Sequence, residues 1–305
     1  MAHTLKVLAK LARRYRVDQG ARFRLSTHDP AEVHLSGGKS EAKKLLEDGR
    51  ERVRDLQERL YAQDRWSVLM VLQAMDAAGK DSTIEHVMSG VNPQGCQVVS
   101  FKQPSQEELD HDFLWRCARA LPERGRIGIF NRSHYEELLV VRVHPELLQR
   151  QTLPKTLVTP KIWEQRAGDI ANWESYLARN GTAIAKIFLH VSRDEQRKRF
   201  QARLDEPEKN WKFHVSDVAE RAHWDAYQQA YQDAIRRTAA PHAPWYVVPA
   251  DTKWFTRLVV MAALIQTLES LELQFPKIAG ERKQELVRAG ELLAAEKRKP
   301  RKGAR

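Results

Sequence analysis

The residues best suited to chemistry stand in one short stretch, Asp76-Ala77-Ala78-Gly79-Lys80-Asp81-Ser82, directly after the apolar run Ser67–Met75. Small residues between a strand and a helix let successive backbone N–H groups turn inward around an anion. The helix start adds partial positive charge. Ala77, Ala78, Gly79, Lys80, Asp81 and Ser82 are therefore candidate phosphate-binding residues, with Lys80 as a point charge for transferring phosphates. The stretch departs from the strict G-x-x-x-x-G-K-[ST] pattern, because Ala74 stands at the first glycine and Asp81 at the hydroxyl position. Magnesium favours carboxylate and phosphate oxygens, so Asp76, and Asp81 as a second candidate, could do the metal work that a hydroxyl does elsewhere. The competing reading is an ordinary strand-to-helix turn with an exposed lysine, and for Asp81 plain charge complementarity at a helix start.

A second strand end lies in RIGIFNRSHYEE, residues 126–137. The amide oxygen of Asn131 can ligate or hydrogen-bond a hydrated magnesium, more weakly than a carboxylate. Arg132 could clamp a phosphate with its fork of donors. Glu136 and Glu137 fall within reach of the same edge, and Glu137 is a further metal candidate. The alternative is that Asn131 caps the next helix and Arg132 pairs with a surface glutamate.

Residues 193–213 carry a slight basic excess and place Arg199 and Arg203 four apart, on one helix face, with Lys209 and Lys212 beyond Pro207. A cationic flap that closes over phosphates excludes water and neutralises charge in the transition state. Interleaved acids such as Asp194 and Glu208 leave a solvated, salt-bridged helix as the alternative. No Cys–His or Ser–His pair suggests a covalent intermediate, and His86, His111, His134 and His144 read as ordinary surface or helix histidines.

These groups need a scaffold to converge. Five apolar runs, Ser67–Met75, Cys96–Phe101, Arg126–Asn131, Ala183–Val191 and Pro244–Pro249, read as buried strands. Helical segments alternate with them: Lys39–Arg65, Lys80–Ser89, a helix opened by the Ser105–Glu108 capping box through Leu121, Glu136–Arg150, Pro160–Arg179, a helix from Ser192 toward Leu204, Val218–Arg237 and Lys253–Leu273. The alternation predicts an α/β fold with a parallel five-stranded sheet covered on both faces. Ligands of such sheets bind at the C-terminal strand ends. The loop Gly90–Gly95 is dense in turn formers. Residues 1–38 carry few signals and are expected to wrap the surface.

The 305 residues, 42% apolar and 30% charged, have the composition of a globular protein. No apolar run approaches the length of a membrane span. The basic N-terminus lacks a signal-peptide core, so a cytoplasmic location is expected. Cys96 and Cys117 lack metal-site spacing and read as free thiols. A net charge of +11 points to a polyanionic partner, although six basic residues fall in the last nine, KRKPRKGAR.

The three blocks AMDAAGKDSTIEHVMSGVNPQG, FNRSHYEELLVVRVHPE and RFQARLDEPEKNWKF, in this order and spacing, resemble the family-2 polyphosphate kinases. The resemblance spans roughly residues 40–275. It implies a three-layer P-loop kinase fold with a helical lid, and phosphoryl transfer between inorganic polyphosphate and nucleotides with Mg2+, Mn2+ being the alternative ion. It implies that Gly79 and Lys80 hold phosphate, that Asp76 is the main metal-linked acid, and that Asn131 and Arg132 form the second motif. Arg199 and Arg203 would belong to the lid. Many relatives carry Asp where this chain has Asn131, which weakens the case for direct ligation there. The wording of the first two blocks resembles the subgroup that accepts both AMP and ADP.

The expected catalytic set is thus Asp76, Lys80, Arg132, Arg199 and Arg203. Further candidate groups for phosphate are Arg116, Lys209 and Lys212, with Lys39, Lys43 and Lys44 as candidates for a basic groove along a long donor. Residues 1–38 would be an N-terminal extension, 39–278 the kinase domain with a lid at about 193–214, and 279–305 a basic tail. Partners are inorganic polyphosphate and adenine nucleotides, with guanine nucleotides as an extension, but neither nucleic acid nor membrane. A homo-oligomer, dimer or tetramer, is expected. The rival readings are an ATP-dependent nucleoside monophosphate kinase of related fold and a non-catalytic polyanion or RNA binder.

Overall fold

The structure, a computed structural model, describes residues 2–298. A six-stranded sheet is built from β1 (Arg16–Val17), β2 (Ser67–Ala74), β3 (Cys96–Ser100), β4 (Ile127–Asn131), β5 (Thr182–His190) and β6 (Trp245–Pro249). The spatial order is β1-β6-β5-β2-β4-β3, and all pairs are parallel except β1 with β6. The five parallel strands are those read from the sequence. The sixth, β1, corrects the strand count: two residues are too short to register as an apolar run, and their pairing partner lies far along the chain.

The helices are α1 (Ala2–Tyr15), α2 (Gly38–Gln63), α3 (Lys80–Met88), α4 (Gln106–Leu109), α5 (Trp115–Arg119), α6 (Val140–Val143), α7 (Ile162–Arg179), α8 (Arg193–Asp205), α9 (Val215–Glu220), α10 (Trp224–Thr238), α11 (Lys253–Glu269) and α12 (Glu281–Arg298). One sheet face is covered by α1, α2, α3 and α11, and the other by α7 and α10. All eight residues of β2 are buried, as a central parallel strand requires. Helix α11 is buried nearly all round, from Phe255 to Leu268, and completes the core.

The N-terminal residues do more than wrap the surface. Leu8, Leu11, Ala12 and Tyr15 form a buried stripe on α1, and the Tyr15 ring meets Phe255 edge-on at 6.0 Å. The described residues part into two units between Leu273 and Gln274, and the second contains α12. The stretch expected as a tail is therefore helical through Arg298, and residues 299–305 lie outside the described residues.

Three expected helices are broken: Val218–Arg237 is divided between α9 and α10 by a 3-10 turn at Arg221–His223, and the other two are broken for local reasons. The Ser105–Glu108 capping box forms, but α4 ends at Leu109. Asp112 then captures the Leu114 N–H at 2.9 Å with its carboxylate and starts a new turn. In 136–150, Pro145 cannot continue a helix, and the single turn α6 forms between two 3-10 stretches, His134–Glu137 and Pro145–Gln151.

Below the C-terminal sheet edge sits a buried polar cluster. The Lys186 ammonium of β5 donates to Glu174 of α7 at 2.5 Å, to the Tyr135 hydroxyl at 3.1 Å and to the Thr238 carbonyl at 2.7 Å. Tyr135 in turn donates to Glu174 at 2.8 Å. Burial would raise the Glu174 carboxyl, but the Lys186 charge and the His134 and Lys186 contacts outweigh it and hold its pKa below the ordinary value. This cluster ties β5, α7 and α10 to the segment after β4. Lys186→Met should destabilise the protein by about 3–5 kcal/mol, because it strands a buried carboxylate. Adding Glu174→Leu should recover part of that loss. Denaturant unfolding of the single and double variants measures both.

Candidate active site

The site grows from the tip of β2. After Ala74 the chain turns through two left-handed residues, Ala77 (φ 59°) and Gly79 (φ 99°). Glycine adopts this conformation freely, whereas alanine is held there at a cost. Helix α3 begins at once, and its first internal bond joins the Thr83 N–H to the Gly79 carbonyl at 3.0 Å. The N–H groups ahead of it are the open donors of a helix start. Lys80 folds back over the loop and donates to the Ala74 carbonyl at 3.0 Å. Burial pulls its pKa below the ordinary 10.5, and the Arg132 charge adds to this, against Asp76, Glu136 and Asp81.

Strand β4 lies beside β2 with Asn131 paired to Leu72. This register brings the second motif to the same tip. The Asn131 amide donates to Asp81 at 2.6 Å. Arg132 is left-handed (φ 63°) and its N–H donates to the Leu72 carbonyl at 3.0 Å, so the backbone is pinned where the side chain turns off the sheet edge. Its guanidinium donates to Asp76 at 3.2 Å and to Glu136 at 3.4 Å. The Glu136 charge chiefly holds its pKa above the ordinary value.

The basic segment behaves in two ways. Helix α8 is packed against the loop, with Gln196, Arg199 and Phe200 buried. The projecting part begins later, where Leu204, Trp211, Val215 and Val218 are exposed. In this structure the first turns of the segment expected as a flap are packed on the loop, and the exposed apolar side chains begin at Leu204. Arg203 donates to the Lys212 carbonyl at 3.2 Å and to Asp217 at 3.4 Å, with its guanidinium over Phe200. Lys209 pairs with Glu206, and Lys212 lies 4.9 Å from the Trp211 ring centre. Burial and the Asp76 charge both raise the Asp217 carboxyl.

A cavity of about 520 Å³ collects these groups. Asp76, Ala77, Ala78, Gly79, Lys80, Asp81, Ser82, Asn131, Arg132, Arg199, Arg203, Lys209 and Lys212 all line it. Lys102, after β3, and Lys253, at the start of α11, line it too and were missed. Both follow strand ends, so the rule that locates ligands at C-terminal strand edges could have found them. The Lys253 pKa is lowered by burial and by Arg199 and Lys209.

Two expected residues stand elsewhere. Arg116 and Glu137 line a neighbouring cavity of about 440 Å³. Arg116 donates to the Lys102 carbonyl at 2.9 Å and lies over Phe101. Glu137 is buried, bonded by Gln151 at 2.9 Å and faced by Arg166 at 3.4 Å, so its carboxylate is spent away from the loop. Lys39, Lys43 and Lys44 are exposed on α2 and do not line the cavity. His134 is not a surface histidine: it is buried against Trp173 and Glu174.

A family model for polyphosphate kinase 2 matches residues 37–276. The chain belongs to the polyphosphate kinase 2 family. The ADP-polyphosphate phosphotransferase of Rhodopseudomonas palustris is 50% identical over 276 residues, which is 90% of this chain and 96% of that one. The AMP/ADP-polyphosphate phosphotransferase of Meiothermus ruber is 47% identical, over 87% and 96%. The crystal structure of polyphosphate kinase 2 from Arthrobacter aurescens TC1 superposes with a TM-score of 0.84 at 40% identity, covering 92% of this chain and 96% of that one. The three layers described above are thus a P-loop kinase fold.

The cavity at the tip of β2 offers a divalent cation oxygen donors only. Asp76 and Asp81 are the carboxylates at the cavity wall, with Asn131, the last residue of β4, bonded to Asp81. Among the described residues no group of three or more acidic, histidine or cysteine side chains could hold a metal. That donor set suits Mg2+ or Mn2+, bound through one or two carboxylates, water and substrate phosphate, better than a cation that needs a full protein cage.

Lys80→Ala should lower phosphoryl transfer by about 10²–10³-fold, the scale for one donor aimed at developing charge, with an unchanged circular dichroism spectrum. The depressed Lys80 pKa means that its charge is lost as pH rises past a point below 10.5. The alkaline limb of kcat/KM should therefore begin below that value. It should move upward in kcat, because bound phosphate favours the ammonium.

Proposed function

We propose that this protein is a polyphosphate-dependent nucleotide kinase that converts AMP to ADP and ADP to ATP. One observation carries the reading. Arg132 and Lys102 line both the phosphate cavity and the neighbouring one, whose walls include Phe101, Leu109, Phe113 and Val140. The first cavity is ringed by cations and open N–H groups and suits a bare phosphate chain. The second has apolar walls and Arg116 and suits a nucleoside. Arg132 then stands where the two anions meet.

In this reading an oxygen of the nucleotide's terminal phosphate attacks the end phosphorus of the chain. A new P–O bond forms as the P–O bond to the next phosphate breaks, and a chain shorter by one phosphate leaves. Lys80 and the loop amides hold the donor end, and Arg132 bridges donor and acceptor. Arg203, Lys209, Lys212 and Lys253 neutralise charge as it spreads. Asp76, with Asp81 and Asn131 beside it, would hold Mg2+, which supplies charge neutralisation between phosphates when bound. The reaction needs positioning rather than a nucleophilic side chain. No helix of the described residues is long and apolar enough to cross a membrane, and a cytoplasmic location belongs to the same reading. Guanine nucleotides as further acceptors and a dimer or tetramer in solution complete it.

Purified protein supplied with Mg2+, long-chain polyphosphate and AMP or ADP, without ATP, should form ADP and ATP. Chelation with EDTA should stop turnover, and Mn2+ should restore it. Transfer from ATP alone would favour an ATP-dependent monophosphate kinase. Salt-sensitive polyphosphate binding with no turnover would favour a plain polyanion binder.

A further inference from the structure

A loop that points its N–H groups at phosphate must point its carbonyls away, and buried carbonyls need donors. Three consecutive carbonyls here find them on one helix. Gln196 of α8 donates to the Asp76 carbonyl at 2.9 Å. Arg199, one turn on, donates to the Ala77 carbonyl at 3.1 Å and the Ala78 carbonyl at 2.9 Å. Its other donors go to Ala250 at 2.6 Å, Asp251 at 3.0 Å and Glu195 at 2.9 Å. A guanidinium carries five N–H donors, and all five are spent. Both side chains are at least nine-tenths buried. The Gln196 amide is also fixed in orientation, because its oxygen accepts from Arg221 at 2.6 Å.

We propose that Gln196 and Arg199 are positioning residues, whose hydrogen bonds to the carbonyls of Asp76, Ala77 and Ala78 hold the loop with the N–H groups of Ala77 and Gly79 toward the cavity, the Ala78 N–H being bonded to the Met75 carbonyl at 3.4 Å, and that Arg199 makes no contact with phosphate. This rests on the reading above, in which that cavity takes polyphosphate. It separates Arg199 from Arg203, four residues on along α8, whose bonds go to Lys212 and Asp217 of the projecting segment and not to the loop. It also gives Gln196, a neutral residue with no charge to offer a phosphate, an effect on turnover. Through Arg221, which additionally donates to the Arg193 carbonyl at 3.2 Å, the loop is joined to the far end of that segment.

The salt dependence of binding distinguishes a staple from a phosphate contact. Each cation that touches a polyanion adds roughly one to the slope of log K against log salt. Binding of long-chain polyphosphate would be measured between about 50 and 200 mM KCl for wild type, Arg199→Lys, Arg199→Gln, Gln196→Met and Lys209→Ala, alongside turnover and thermal unfolding. Arg199→Lys keeps the charge but cannot span five acceptors in a plane. It and Gln196→Met should each lower kcat/KM for polyphosphate by about ten- to a hundredfold, the scale for small misplacement. KM for nucleotide should not change, and Arg199→Gln, which removes the charge, should keep the wild-type salt slope, whereas a slope flattened by about one would show that Arg199 touches phosphate and would overturn the proposal. Lys209→Ala should flatten the slope by about one. Near-normal turnover of Arg199→Lys, or of Gln196→Met, overturns the proposal, as does loss of activity in proportion to unfolded protein alone. Should Arg199→Lys fail to fold, Gln196→Met, which removes only the bond to the Asp76 carbonyl and the one from Arg221, decides. A wild-type protein that neither binds nor uses polyphosphate would instead sink the functional reading on which this rests.

Discussion

Backbone amides can be turned toward an anion only if the opposite ends of the same peptide units are satisfied elsewhere. At the tip of β2 this is met by side chains from α8, which take up the carbonyls of Asp76, Ala77 and Ala78. Helix α8 is in turn held at the sheet edge by its N-cap, where the Ser192 hydroxyl accepts the Glu195 N–H at 3.1 Å. The Ser192 N–H is bound by Asp251 at 2.8 Å. Loop, helix and the segment after β6 therefore form one hydrogen-bonded unit. The left-handed Ala77 and the buried guanidinium are tolerated because that unit over-determines them.

The second constraint is electrostatic. Lys80, Arg132, Arg203, Lys209, Lys212, Lys102 and Lys253 face one cavity. Burial out of water, and after it the neighbouring like charges, lowers the proton affinity of Lys80 and Lys253. Carboxylates offset part of the repulsion: Asp76 and Glu136 with Arg132, Asp217 with Arg203. The remaining positive field is what a phosphate chain would relieve. A site of this kind is stabilised by the ligand it selects.

Beneath the site, the Lys186–Glu174–Tyr135 cluster pins the residues that follow Arg132 to β5 and α7. Arg132 is held from both sides: its own N–H is bound by β2, and the chain three residues on is anchored in the core. A fork of donors placed at the junction of two cavities has to be rigid to be useful, and this arrangement keeps it so.

Strand-to-helix turns are local features. The apolar run before Asp76, the small residues and Gly79-Lys80 were readable because the φ/ψ needs of a phosphate loop and the burial of a central strand both mark the sequence directly. The five parallel strands and the convergence of Asp76–Ser82, Asn131 and Arg132 followed from the same signals. What could not be read was long-range. Strand β1 exists only because β6 offers it an edge, and α1 is core only because α11 offers it a face. Arg116 and Glu137 carry the right chemistry but are turned toward the neighbouring cavity by Lys102, Gln151 and Arg166. Arg199 and Arg203 share a helix face and a side-chain type, yet one is buried on carbonyls and the other is not. Residue type states what a group is able to bind. Which partner it meets is decided by groups brought close through folding, from 14 positions away for Arg116 to 122 for Arg199, and that information is not present in its own neighbourhood of the chain.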